Sequence, residues 1–238
     1  LFAKDGVEVR ESTWAGAYYC AHVLFLAQRH GRQAPTSIVR DRSGDPMVGF
    51  IHVPAYHETT GDGSTRPRRE RHRHTARVVA CALRGVVDEV RAGGTAPVRV
   101  LLTGFGPFAA VASNPTGDFV EDDASVSAAL ELAFGNAATE HLVLHRMRLD
   151  VDDVALDPAH PTSLPSALAS FQPHAVVALG VHRASSIYRV EIDATNARLK
   201  LVDGEPPRHE RGLPASARAS RNRALARAIA AGARALGL

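Results

Sequence analysis

The chain has 238 residues, 45% of them hydrophobic and 22% charged, with 28 Lys and Arg against 25 Asp and Glu for a net charge of +3. This balance is that of a soluble globular chain able to bury a sizeable core, and no run approaches the ~18 apolar residues of a membrane-spanning helix. The charge is too small to demand a nucleic-acid partner, and two cysteines, Cys20 and Cys81, with no CxxC pair, exclude a disulfide framework and a structural zinc site.

In chain order, Val7-Glu-Val-Arg-Glu11 reads as a strand that passes through a Ser/Thr- and Gly-containing turn into a helix over Ala17 to Arg29. Cys20 falls in the first turns of that helix. There the positive end of the helix dipole lowers a thiol pKa and favours a thiolate nucleophile, the competing reading being a buried inert cysteine. Residues 31–45 read as a surface insertion. Val48-Gly-Phe-Ile-His-Val53 is an apolar strand closed by Pro54, with His52 near its carboxyl end, where ligands gather in α/β enzymes.

The Arg/His-rich stretch 56–75 reads as a second surface insertion. His57, His72 and His74 invite a zinc reading, but they lie among Arg68, Arg69, Arg71 and Arg73 without accompanying thiolates or carboxylates, so a solvated basic face is expected instead. A helix follows over Arg73 to Arg91 with Cys81 on its apolar face. Ala92-Gly-Gly-Thr-Ala-Pro97 then reads as a linker.

Val98 to Leu102 is a short buried strand ending in Thr103-Gly-Phe-Gly-Pro-Phe108. Ala109 stands where a dinucleotide fingerprint needs its third glycine. Two aromatic rings in a Pro-containing loop suit a flat, largely apolar ring better than a phosphate. Further elements are a helix over Ser125 to Phe134, a strand over Ala175 to Leu179 closed by Gly180, and a helix over Ser220 to Leu236. Strands alternating with helices predict an α/β fold: a single three-layer α/β/α domain around a mainly parallel mixed sheet.

Four segments together resemble the pyroglutamyl peptidase I (pyrrolidone-carboxylate peptidase) family of cysteine peptidases. Val100-Leu-Leu-Thr-Gly-Phe-Gly-Pro-Phe108 with Asn114-Pro115 resembles its first strand and loop, and Leu179 to Glu191 with Asn196 and Ala197-Arg198 resembles the segment of its catalytic Glu. Ser12-Thr-Trp-Ala-Gly-Ala-Tyr-Tyr-Cys20 resembles the nucleophile segment, and Gly49-Phe-Ile-His-Val-Pro54 that of the catalytic His. Their order differs from the family's: a Cys/His half (1–92) precedes, across a linker (93–97), a Phe-loop/Glu half (98–238), so the chain reads as circularly permuted. Ala21, Ala109, Ala110 and Arg183-Ala-Ser depart from the family's residues around the pocket.

The resemblance implies a thiol protease that removes N-terminal pyroglutamate from peptides through Cys20, His52 and Glu191. Phe105 and Phe108 would grip the lactam ring, Asn114 would add a polar contact and Arg198 a positive charge near the oxyanion. It implies no cofactor, no metal, no nucleic-acid or membrane partner, and leaves a homo-oligomer open. The competing expectation is a non-catalytic or altered-specificity relative that binds a small acyl or peptide ligand. The two unpaired thiols point to a reducing compartment, and the first residues, Leu-Phe-Ala-Lys-Asp-Gly, lack the features of a secretory signal, so a cytoplasmic location is expected.

Overall fold

A computed structural model describes residues 1–4, 6–13, 19–33, 36–54, 68–91, 96–107, 113–182, 185–194, 197–200, 208–211 and 220–238. Seven strands form the main sheet: β1 (Phe2–Lys4), β2 (Val7–Ser12), β3 (Val48–Pro54), β4 (Val98–Phe105), β5 (Leu142–Leu149), β6 (Ala175–His182) and β7 (Tyr188–Glu191). Two small ribbons pair β8 (Asp193–Ala194) with β11 (Ser220–Arg221) and β9 (Ala197–Lys200) with β10 (Arg208–Arg211). The α-helices are α1 (Tyr19–Arg32), α2 (Arg68–Arg91), α3 (Pro115–Glu121), α4 (Asp123–Phe134), α5 (Ala138–His141), α6 (Leu164–Phe171) and α7 (Ala224–Ala235).

The sheet order is β1-β2-β7-β3-β6-β4-β5, parallel except for the β1·β2 and β3·β7 pairings. β3, from the first half of the chain, lies between β7 and β6 from the second. The two halves therefore share one sheet and one core, and the mainly parallel α/β architecture read from the sequence is what the chain forms.

Every residue of β3 is buried, as a central parallel strand covered on both faces requires. Its side chains alternate between two apolar clusters. Val48 and Phe50 join Leu101, Phe105, Val176 and Ala178 beneath Val23, Leu24 and Ala27 of α1 and Leu164 and Leu168 of α6. Ile51 and Val53 join Leu102, Val177 and Leu179 beneath α2, α4 and α7 on the other face. On that second face α2 and α7 touch backbone to backbone, because a Cβ on Gly85 would overlap the Ala228 carbonyl and one on Gly232 the Cys81 carbonyl. Cys81, fully buried at this crossing, is a packing residue.

Three expectations about the surface change. α2 begins at Arg68 rather than Arg73. Of the 56–75 stretch, residues 56–67, with His57, lie outside the described residues, and 68–75 is helix rather than insertion. His72 is buried there, its Nδ1 2.7 Å from Ser125 Oγ and 3.3 Å from Asp122 Oδ2, and Thr75 is buried beside the Tyr188 hydroxyl at 3.2 Å. The dense charge hid a helix whose other face is packed; Glu70 and Arg73 are exposed. The 31–45 segment is likewise tied down. Ile38 is buried in the α1-side core, and Asp41 and Asp45 both bind Arg227 of α7, the Asp45 contact at 2.8 Å. Residues 92–95 of the linker lie outside the described residues.

Candidate active site

The pairing register assembles the site. On the α1 side of the sheet, Phe50 is paired with Glu191 on β7 and with Ala178 on β6, and Ala178 with Thr103 on β4. One step toward the carboxyl ends of the parallel strands, His52 is paired with Arg189 and Gly180. Since residues two apart on a strand share a face, Phe50, His52, Glu191, Arg189, Gly180, Thr103 and Phe105 all belong to one surface. This is the carboxyl-end position where α/β sheets bind ligands.

His52 Nδ1 lies 2.7 Å from Glu191 Oε1, with both side chains buried. With the carboxylate accepting the Nδ1 proton, the tautomer is fixed and Nε2 is the basic nitrogen. Phe50 meets His52 edge-on at 5.0 Å between centroids, and Phe105 backs Phe50 at 6.1 Å, so aromatic walls hold the imidazole in place. Glu191 Oε2 is buried without a hydrogen-bond partner among the described residues, and so is the Thr103 hydroxyl. Each leaves an unmet polar demand on the site face.

Cys20 reaches the same surface from α1. A Cβ built on Gly180 would stand 3.1 Å from Cys20 Sγ and 2.7 Å from Cε1 of the Phe50 ring. The sulfur thus lies over Gly180, the register partner of His52 on the neighbouring strand. Gly180 is there because no side chain fits between the sulfur and the ring. Gly180→Ala should therefore displace one of them, lowering the melting temperature by about 3–10 °C, as an overpacked core position in a chain of this size does. Thermal denaturation checks it, and an unchanged transition would contradict the crowding.

The expectation of a dipole-activated thiolate is corrected. Burial pushes the Cys20 thiol up to about 12, with the nearby Glu191 charge acting in the same direction and the residue's own backbone hydrogen bond only partly offsetting it. Cys20, half-buried at the second residue of α1, rests as a neutral thiol. Its ionisation needs a base that takes the proton as the sulfur reacts.

Asn114 is not aimed at a ligand by any bond it makes. Its Oδ1 caps α3 by accepting from Thr116 N at 3.1 Å and from Thr116 Oγ1 at 2.8 Å, and its Nδ2 donates to Gly106 O at 3.1 Å. It holds the loop after β4 in shape. The glycines of that loop region also answer to packing, since a Cβ on Gly104 would strike the Thr116 carbonyl and one on Gly117 the Phe105 carbonyl. Phe105 is buried against Phe50 rather than open to a ligand.

Phe108, Ala109, Ala110, Arg183 and Asn196 lie outside the described residues, and of Arg198 only the backbone, in β9, is described. The sequence reading missed His182, whose ring meets that of His52 edge-on at 5.5 Å. The available signal was its place two residues beyond Gly180 at the end of a central strand. Among the described residues, no group of three His, Cys, Asp or Glu is placed to hold a metal, and no helix is long and apolar enough to cross a membrane. Compared with protein-family models, with curated proteins and with solved structures, the chain matches none.

Proposed function

We propose that the chain is a cysteine omega-peptidase that removes N-terminal pyroglutamate from peptides through Cys20, His52 and Glu191. The observation that carries the reading is the buried 2.7 Å His52–Glu191 pair beneath a cysteine sulfur seated over Gly180. Nucleophile, base and orienting carboxylate are the three parts of an acyl-transfer site.

In this mechanism His52 Nε2 takes the thiol proton as Cys20 Sγ attacks the scissile carbonyl. The S–C bond forms and the carbonyl π pair moves to oxygen. The Cys20 amide, at the second residue of α1, meets that oxyanion. As the oxyanion collapses, the C–N bond breaks and His52 gives its proton to the departing amine. Water activated by His52 then hydrolyses the thioester. Glu191 holds Nδ1 and stabilises the imidazolium at both stages.

The pyroglutamyl preference draws on the sequence resemblance. The order of the segments fits a circularly permuted member of that family whose halves complete one site within one chain. Chemistry through an unpaired thiol suits a reducing compartment such as the cytoplasm. The test is release of a fluorescent arylamine from its pyroglutamyl amide. Turnover that iodoacetamide abolishes is the expected result. No release above that of a Cys20→Ala chain would overturn the reading.

A further inference from the structure

Beside the triad, the same sheet face carries a cationic side chain, that of Arg189, with His182 on the far side of β3 from it. Arg189 is the register partner of His52 on β7, and His182 lies two residues beyond Gly180 on β6, opposite Pro54. Both are half-buried, whereas His52 and Glu191 are buried, so they sit at the more open end of the site. Arg189 is held in place, with its Nε donating at 3.1 Å to Ser185 Oγ, itself buried and donating to Ile187 O at 2.9 Å. No carboxylate pairs with the Arg189 guanidinium among the described residues.

The neighbouring acidic groups have other partners. Glu191 is bound to His52, and on the adjacent strand Glu8 is paired with Arg10. Burial, with the His52 and Arg189 charges behind it, holds the His182 pKa below its ordinary value against the pull of Glu191 and of a backbone hydrogen bond. The Arg189 charge stands on the site face, on the strand next to that of His52. The preorganised Arg189 guanidinium offers paired donors of the kind that bind carboxylates.

We propose that Arg189 forms a carboxylate-binding subsite for the leaving residue, so that the preferred substrates are pyroglutamyl amino acids whose free α-carboxylate follows directly on the scissile bond. The identity of the ligand rests on the peptidase reading; the anion subsite itself does not. Arg189 supplies both the charge and the paired donors. A longer peptide or an amide in the same place leaves the guanidinium unmatched.

Two measurements separate the subsite from the peptidase reading. The first is the ratio of Cys20 alkylation rates with iodoacetate and with iodoacetamide, read by mass spectrometry of the Cys20 peptide. Both reagents form the same S–C bond with loss of iodide, and only the first brings a carboxylate. The ratio is expected to fall about tenfold in Arg189→Gln, the size of one partly solvated charge-assisted hydrogen bond, and to be largely restored in Arg189→Lys. The second is the ratio of kcat/KM for pyroglutamyl-alanine to that for pyroglutamyl-alaninamide, expected above one and reduced in Arg189→Gln through KM.

An alkylation ratio that does not respond to Arg189→Gln overturns the subsite. So does wild-type turnover of both dipeptides without preference for the acid, which leaves the peptidase reading standing. An Arg189-dependent alkylation ratio with neither dipeptide hydrolysed keeps the subsite and overturns the peptidase.

Discussion

Cys20→Ala should reduce turnover of a pyroglutamyl arylamide by at least about 10³-fold, because removing the nucleophile removes the covalent route and leaves only binding and oxyanion stabilisation. Cys81→Ala provides the contrast. Cys81 is fully buried where α2 crosses α7, and its thiol, also pushed up to about 12 by burial, is remote from the sheet's site face. Its truncation should cost about 1 kcal/mol of stability and leave kcat/KM within about twofold of wild type. Steady-state kinetics and thermal melts on the two variants check the pair, and equal losses of activity would remove Cys20 from its assigned role.

The thiol's environment adds a pH dependence. A folded-state pKa above the unfolded value means that the folded chain retains a proton which the unfolded chain releases. This contribution to stability is complete below about pH 9 and is lost as the pH rises through the window from about 9 to 12. Cys20→Ser should flatten the alkaline decline of the melting temperature in that window. At neutral pH the same shift would make the sulfur of the proposed peptidase dependent on His52, and its reaction would proceed by concerted proton transfer rather than from a standing thiolate.

How far the sequence discloses this arrangement depends on which physical signal each element carries. β3 and β6 are continuous apolar runs because both faces are covered, and they stand out at once. β5 does not, because it is an edge strand whose exposed positions carry His145, Arg146 and Arg148 in a broken alternation. β7 is only four residues long, yet it delivers Glu191 and Arg189; local pattern is silent there and the register does the placing. Asn114 was legible as a special residue but not as a cap, since a capping Asn and a ligand-binding Asn look alike until their bonds are seen. The direction of the Cys20 shift was illegible for the same reason. A dipole can be inferred from one helix, whereas burial and the Glu191 charge come from strands far away in sequence.

Glu191→Gln tests whether the buried pair works by charge or by geometry. The substitution keeps the shape of the side chain and can keep a hydrogen bond at the Glu191 Oε1 position, 2.7 Å from His52 Nδ1, but it removes the charge that stabilises the imidazolium. If the amide turns its NH2 toward Nδ1, it also forces the tautomer in which Nε2 already bears a proton and cannot accept one from Cys20. Either way kcat should fall by about 10²–10⁴-fold with KM little changed, as expected when the lost interaction acts on the transition state. The melting temperature should move far less, because the carboxylate already holds one oxygen, Oε2, buried without a partner among the described residues, so removing its charge also relieves a desolvation cost. A second readout should move the opposite way to turnover. Glu191 is one of the influences that raise the Cys20 thiol, so neutralising it should shift the pH midpoint of Cys20 alkylation downward even as catalysis is lost. A chain merely loosened by the substitution would lose melting temperature along with activity and show no such displaced midpoint. If instead Glu191→Gln turns over within about threefold of wild type, the carboxylate neither orients nor stabilises His52, and the Cys20–His52–Glu191 assignment does not survive.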